Sequence, residues 1–414
     1  MCRQLLAAFF YIENVVKYKM EGGMTLEKVV LVRYAEIGLK GRNRGYFESK
    51  LIENIRKIVK PPEINKRYGR IVIRLKEQLF EEIEDKLKYV FGIQNYSFAY
   101  AVVHDIEKIK KAAFELMKLN LKQQKTFKVE TKRSFKQFPM KSQEMSAYIG
   151  AYLLEQFPQL KVDVHNPEIT VGIEIKEKEV FVFIDKKKLY GGLPVGVSGK
   201  ALLLLSGGID SPVAGWYMLK RGVNIETISF LSPPFTTEKS VKKILDLANI
   251  LANYVPDSLR AWIVPFTEIQ QYIKNNVPDR YSLIVQRRSM MRIANKLAAK
   301  IKAKALITGE NVGQVASQTL TNLHSIENVS KLPVLRPLIG FDKTEIVNKS
   351  KEIGTYEISI LPYIDSCVAF APKNPATSSS INKLEVIESK LKKLSTLEET
   401  VFEKIKKYVI GRNV

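Results

Sequence analysis

Cysteine is nearly absent from this 414-residue chain; the two are Cys2 and Cys367. So few thiols exclude a disulfide framework and suit a reducing, cytoplasmic setting. The three histidines, His104, His165 and His324, stand far apart. None pairs with a cysteine at ligand spacing, which argues against a protein-built zinc or iron–sulfur centre. No apolar run approaches the roughly 20 residues that cross a bilayer, so no membrane partner is expected. Acidic residues are also scarce beside basic ones: 43 Asp and Glu against 66 Lys and Arg, a formal net charge of +23. A Lys- and Glu-rich hardened surface would account for charge density but not for its one-sided sign. The excess favours a polyanionic partner, with nucleic acid first, because neutralised phosphates release counterions.

The first residues carry a short apolar run, Leu5 to Ile12, without the small-residue cleavage site of a signal peptide. The domain pattern begins just after Met24, so residues 1–23 are read as an extension and Met24 as the native start. Lys28–Tyr34 reads as a strand, and Phe47–Ile58 carries apolar residues at helical spacing. Arg70–Leu75 alternates as a second strand, and Glu82–Tyr89 is helical in pattern, which together imply a small α+β domain. A second α+β unit follows: helices over Ile106–Leu121 and Gln143–Gln156, and extended segments Thr126–Thr131, Val162–His165, Thr170–Ile175 and Val180–Ile184. Between them, Lys128, Lys132, Arg133, Lys136 and Lys141 interleave with Phe127, Phe135 and Phe138. Such a stretch can grip phosphates and stack on bases. It can equally be a solvated strand edge with core phenylalanines.

Gly191–Gly199 is rich in Gly and Pro and reads as a linker. Beyond it the texture changes. Apolar runs at Ala201–Leu205, Glu226–Leu231, Ala261–Pro265 and Ala305–Thr308 alternate with helical segments, the pattern of a parallel sheet covered on both faces. From Ser378 two amphipathic helices are expected to close the chain.

The sharpest feature is Leu202–Ser211, LLLLSGGIDS. A buried strand runs into the tight turn Ser206-Gly207-Gly208, whose glycines tolerate positive φ and let backbone N–H groups approach an anion. Ser211 stands where a helix N-cap belongs, and Pro212 suits the first helical position. Lys220-Arg221-Gly222 closes that helix with cations and a C-cap glycine. Its N-terminus, aimed at the loop, favours a bound phosphate. The spacing fits neither a Walker A loop nor a dinucleotide fingerprint.

Ser206-Gly207-Gly208-Ile209-Asp210-Ser211 resembles the pyrophosphate loop (PP-loop) of ATP pyrophosphatases. That resemblance implies a Rossmann-like α/β domain and Mg²⁺–ATP, with Asp210 helping to hold the metal–pyrophosphate group. Further segments resemble the tRNA 4-thiouridine synthetase (tRNA sulfurtransferase, ThiI) family. They are Arg33–Gly41 (RYAEIGLKG), Ser229–Phe235 (SFLSPPF), Arg287-Arg288, Thr308–Leu320 (TGENVGQVASQTL), Arg336-Pro337-Leu338 and Asp342–Ile346 (DKTEI). Asp342 and Glu345 also have capping-box spacing, so that last segment has a plain structural reading as well. The central basic unit resembles the family's THUMP RNA-binding domain.

The family resemblance implies a nucleotide site that includes Leu204, Leu205, Ser229, Phe230, Arg287, Gly309 and Gln318 beside the loop. An arginine such as Arg287 can neutralise a phosphate; its alternative is a surface salt bridge. Cys367, in LPYIDSCVAF, resembles the family's sulfur-handling cysteine. A thiolate suits that task, although a lone cysteine beside Val and Phe is often only buried. The expected form is one without the rhodanese domain and second cysteine of some members. Sulfur would then come from a cysteine desulfurase or other persulfide donor, directly or through a separate rhodanese-type protein.

The expected domains are an N-terminal ferredoxin-like α+β domain (24–81), a THUMP domain (82–190), a linker (191–199) and a PP-loop domain (200–414). The resemblance implies that tRNA is bound, that uridine 8 is adenylated at O4 and that sulfur then replaces AMP. The resemblance also implies a second role in thiamine thiazole sulfur supply, found in parts of the family, and makes a homodimer plausible.

Overall fold

The structure, a computed structural model, describes residues 26–67, 69–75, 80–363, 370, 372 and 374–412. The extension 1–23, Cys2 and Cys367 lie outside the described residues. From the N-terminus run β1 (Glu27–Arg33), α1 (Arg44–Ile58), β2 (Glu63–Arg67), β3 (Arg70–Arg74), α2 (Phe80–Leu87), β4 (Asn95–Val102), α3 (Ile106–Asn120), β5 (Thr126–Arg133), α4 (Ser142–Gln156), β6 (Lys161–Val162), β7 (Ile169–Ile175), β8 (Val180–Ile184) and β9 (Lys187–Lys188). There follow β10 (Lys200–Leu204), α5 (Asp210–Lys220), β11 (Asn224–Leu231), α6 (Glu238–Ala252), β12 (Leu259–Pro265), α7 (Thr267–Asn276), α8 (Asp279–Lys300), β13 (Leu306–Ile307) and α9 (Leu320–Glu327). The chain closes with β14 (Val334–Leu335), α10 (Lys343–Glu352), α11 (Tyr356–Ser359), α12 (Ile381–Ser389), α13 (Leu394–Glu403) and β15 (Lys406–Ile410).

Two compact units emerge. The first holds the described residues up to 32 together with those within 62–79 and 96–187. Its sheet runs β2-β3-β1-β4-β8-β7-β5-β6, so the strands of both α+β parts form one sheet, joined by the antiparallel pair β4–β8. Period-2 alternation sorts the side chains. Val171, Ile173 and Ile175 of β7 and Val180, Val182 and Ile184 of β8 pack with Ile109, Leu116, Met145 and Ile149 of α3 and α4. Phe181 and Phe183 turn to the other face, with Val29, Leu31 and Val72. Gly172 makes room there, since a Cβ would lie 2.3 Å from the Phe183 ring. The expected strand Val162–His165 is shorter: pairing stops at Val162, because the Asp163 carboxylate accepts the His165 and Asn166 N–H groups at 2.9 Å and turns the chain.

The second unit takes residues 33–61 and 80–95 as well as the described residues from 188 onward. Its sheet runs β14-β13-β10-β11-β12-β15, with every pair parallel except β12–β15. Ala201, Leu203, Ile225 and Ile307 belong to a core shared with α5, α6 and α10; Leu202, Ile228, Val264 and Leu306 belong to one shared with α7, α8, α12 and α13. Both faces are therefore covered, as continuous apolar strands require. The antiparallel edge strand β15 replaces the expectation that helices end the chain. Segment 191–199 is tied in place by Leu193 N donating to Lys220 O at 2.9 Å and Gly196 N to Gly222 O at 2.8 Å.

A buried ion network fastens the C-terminal helices to α8. Arg288, 2% exposed, donates to Glu388 at 2.9–3.1 Å and through NH1 to Ser325 O at 2.6 Å, while Arg292 bridges Glu388 and Glu398. Removing one partner of such a cluster strands the others without water. Arg288→Ala is expected to destabilise this unit by about 3 kcal/mol, seen as a lowered urea midpoint.

Candidate functional site

The C-terminal ends of β10 and β13 define the crevice, because chain order reverses there: β11 lies on one side of β10 and β13 on the other. The loop after β10 is held by its own serines. Ser206 N donates to Ser211 Oγ at 2.9 Å, Gly208 N to Ser206 Oγ at 3.2 Å, and Ser211 Oγ to Ser206 O at 3.2 Å. This corrects the capping expectation. Helix α5 begins at Asp210, Ser211 lies inside its first turn, and no side chain caps it, because the Ser211 hydroxyl is committed to Ser206. Pro212 is the third helical residue, where an intrahelical N–H partner is still not required. The uncapped first turn leaves donors for an anion. Gly208 does not use left-handed backbone either, and a Cβ there would meet Ser206 Oγ at an ordinary contact distance of 3.4 Å, so neither strain nor crowding demands glycine at this position.

Gly309 does more. A Cβ on it would lie 2.7 Å from Ser211 N and 2.9 Å from the Asp210 carbonyl carbon, both backbone. The segment after β13 thus presses on the first turn of α5, and only glycine permits that approach. Gly309→Ala is expected to displace the loop and destabilise this unit by about 2 kcal/mol, measured as a lowered urea midpoint.

A cavity of about 270 Å³ opens here. Leu204, Leu205, Ile228, Phe230, Met290 and Met291 give it apolar walls; Ser206, Gly207, Asp210, Ser211, Arg287, Gly309 and Gln318 give it a polar side. An apolar pocket with a few convergent polar groups suits a base joined to phosphates. Ser229 does not line it: this buried residue spends its hydroxyl on Leu205 O at 2.7 Å. Gly208 also stays off the lining, its carbonyl accepting from Ser359 Oγ at 3.3 Å.

The Asp210 carboxylate accepts from Lys343 Nζ at 2.6 Å and Gln314 Nε2 at 2.9 Å. Sequence reading missed both donors. Lys343 stands in DKTEI, where the capping box is real (Glu345 N to Asp342 Oδ1 2.9 Å, Asp342 N to Glu345 Oε2 3.0 Å) and sets Lys343 at the first residue of α10. Arg287 is no surface ion pair. It is mostly buried and donates NH1 to Glu310 Oε1 at 2.9 Å. Arg336 joins the same carboxylate; burial works against its charge, but Glu310 and Glu327 outweigh that and raise its pKa.

Among the described residues no group of three or more His, Cys, Asp or Glu side chains gathers to hold a metal. Of the two carboxylates that line the cavity, Glu310 is held by arginines, so Asp210 is the one that would hold Mg²⁺ together with phosphate oxygens and water.

The basic segment of the first unit divides. Phe127 and Phe138 are buried in the core and cannot stack on bases, and Phe135 packs on His104 at 4.9 Å, so the core-phenylalanine reading holds there. Arg133 NH1 is used locally, donating to Phe138 O at 2.8 Å. Lys132 pairs with Glu130 at 3.2 Å, Lys136 and Lys141 are exposed, and Lys128 is half-buried. Ahead of the segment containing Cys367, Lys243 Nζ donates to Leu361 O at 2.9 Å; after it, Phe370 packs on Phe235 at 4.9 Å.

A doubly covered parallel sheet whose first strand runs into a serine–glycine loop and an uncapped helix defines a Rossmann-like PP-loop ATP pyrophosphatase domain. Comparison with known proteins narrows this. Family models described as "ThiI ferredoxin-like domain", "THUMP domain" and "Thiamine biosynthesis protein (ThiI)" match residues 29–97, 103–185 and 196–393. A probable tRNA sulfurtransferase of Thermotoga maritima is 51% identical over 92% of this chain and 99% of its own length. One from Caldanaerobacter subterraneus is 45% identical over 91% of this chain and 100% of its own. The crystal structure of a 4-thiouridine synthetase–RNA complex with bound ATP superposes with a TM-score of 0.89 at 51% identity, covering 93% of this chain and 100% of that one. The chain belongs to the tRNA sulfurtransferase (4-thiouridine synthetase, ThiI) family.

Proposed function

We propose that this protein adenylates uridine 8 of tRNA with ATP and replaces its O4 with sulfur, giving 4-thiouridine. The observation that carries the reading is one cavity in which the uncapped α5 terminus, the Asp210–Lys343 pair and Arg287 stand beside apolar walls. Family membership supports the tRNA substrate. Adenine would lie against Phe230, Met290 and Met291, and the phosphates against the Ser206–Ser211 loop. Lys343 and Arg287 would offset charge gathering on the leaving pyrophosphate. Mg²⁺ bound by Asp210 would add further neutralisation of that charge.

Uridine O4 attacks the α-phosphate and pyrophosphate leaves, so a poor oxygen leaving group becomes AMP. The terminal sulfur of a persulfide on Cys367 then attacks C4 and AMP departs. A second thiol, from the donor or a rhodanese-type partner, then attacks the Cys367 sulfur of the resulting disulfide; sulfur stays on the base, and the mixed disulfide left on Cys367 is reduced by an external dithiol before the next turnover. The exposed Lys132, Lys136 and Lys141, with Lys128, would contact tRNA phosphates, setting register rather than reading sequence. A persulfide donor such as a cysteine desulfurase and a second copy of the chain are the other proposed partners, in the cytoplasm. The matched description "Thiamine biosynthesis protein" supports a second role in thiazole sulfur supply. Thiamine auxotrophy on gene deletion is expected under that second role.

Nucleoside mass spectrometry on unmodified tRNA incubated with protein, Mg²⁺–ATP and a persulfide donor tests the main reading. A 4-thiouridine peak that requires ATP is expected. Pyrophosphate release without that peak would point to a different product, and no release at all would overturn the reading.

A further inference from the structure

We infer that Glu310 is a positioning residue for this nucleotide site, fixing the Arg287 guanidinium at the cavity wall; the inference rests on the ATP-binding reading above. A buried carboxylate beside a site meant for an anion is costly and repels the ligand unless it acts on something else. Glu310 is 8% exposed, and its oxygens serve three donors. Oε1 accepts from Arg287 NH1, and Oε2 from Thr308 Oγ1 and Arg336 Nε, each at 2.9 Å. Arg336 NH1 continues to Glu327 Oε2 at 2.6 Å.

The charges explain the arrangement. Arg336 is shared between Glu310 and Glu327, whose side chain is 42% exposed. Two arginines against two glutamates leave the cluster formally neutral, so Glu310 does not face the cavity as an unpaired negative charge. Arg287 also keeps unused capacity: its Nε is buried with no hydrogen-bond partner. Five donors in a rigid fork, one of them tied to Glu310, leave the guanidinium aimed but not saturated.

Position in the chain joins this clamp to the phosphate loop. Thr308, Gly309 and Glu310 are consecutive; Gly309 presses on Ser211, and its two neighbours hold the arginine clamp. One three-residue segment thus sets the distance between Arg287 and the loop. A purely structural ion pair would support the fold without acting on nucleotide affinity through Arg287.

The test is a double-mutant cycle on ATP affinity, measured by calorimetry on the full chain, with tRNA binding and thermal melting as controls of fold. Glu310→Gln keeps the shape and loses the charge; it is expected to weaken ATP about tenfold, and Arg287→Ala about a hundredfold. If Glu310 works through Arg287, the double variant binds ATP within about twofold of Arg287→Ala. Thr308→Val frees one side of Glu310 without changing charge; it should give a smaller loss that also vanishes in the Arg287→Ala background. It serves as the deciding variant if Glu310→Gln does not fold. Losses that multiply, or wild-type affinity in both single variants at Thr308 and Glu310, overturn the inference while leaving the ATP reading intact. A wild-type protein that binds no ATP overturns both.

Discussion

Asp210→Asn is expected to lower tRNA-dependent pyrophosphate release about a thousandfold while tRNA affinity stays within about twofold. The substitution keeps the volume and one acceptor, so the first turn of α5 has no steric reason to move. What disappears is the negative charge, and two things depend on it. Lys343 Nζ, 2.6 Å from the carboxylate, loses the partner that holds it beside the cavity-lining Asp210. On the proposed reading, Mg²⁺ brought with ATP would also lose the Asp210 carboxylate as a ligand. Charge that builds on the leaving pyrophosphate is then met by solvent that must reorganise rather than by groups already in place. Single-turnover pyrophosphate release and filter-binding of tRNA, on the same preparation, measure both halves. Undiminished release would remove Asp210 and its partner from the chemistry, whatever the geometry.

Lys343→Ala separates the two contributions, since it spares the metal's carboxylate. A loss comparable to that of Asp210→Asn would assign most of the effect to the lysine; a much smaller one would assign it to the metal.

How much of this was legible in the sequence depended on how local each signal was. The loop could be read because strand, turn and helix start are adjacent, so SGGIDS carries its own context. The parallel sheet could be read because four apolar runs between helical segments have little other outlet. The hydrogen-bond competition inside the loop could not: Ser211 is a good N-cap by type, yet Ser206 N takes its hydroxyl. Lys343 was hidden for a similar reason. Its segment had a sufficient local explanation as a capping box, and nothing local says that its side chain meets an aspartate 133 residues away. The interleaved phenylalanines left two readings open. Aromatic spacing in a strand is shared by stacking platforms and cores, and only the packing of α3 and α4 decided for the core. Strand β15 was missed because Lys406-Lys407 opens it and only the edge of β12 gives it a ladder. Arg33–Pro61 and Phe80–Asn95 grouping with the PP-loop sheet was equally invisible. Their ties are long-range, as in Asn54 Nδ2 donating to Val195 O at 3.1 Å and Arg221 gripping Glu36 at 2.7 and 2.8 Å.

Cys367→Ser should divide the reaction at its second step. ATP- and tRNA-dependent pyrophosphate release is expected to persist, because no atom of the thiol takes part in adenylation. Persulfide-dependent 4-thiouridine should fall below detection. The reason is chemical: a serine hydroxyl cannot hold sulfane sulfur and is scarcely ionised near neutral pH, whereas a cysteine thiol ionises near pH ~8.5 and exchanges with persulfides. The adenylated base would then be left to water, and AMP would form without thiolation. Free sulfide provides the discriminating arm. Hydrosulfide can attack C4 directly and displace AMP, bypassing any carrier, so the serine variant should recover thiolation at high sulfide. Recovery with sulfide but not with a protein persulfide marks Cys367 as the carrier. Thiolation from the protein persulfide in the variant would show that sulfur reaches the base by another thiol. Failure with both donors, despite continued pyrophosphate release, would mean that Cys367 shapes the site for the second attack rather than ferrying sulfur to it.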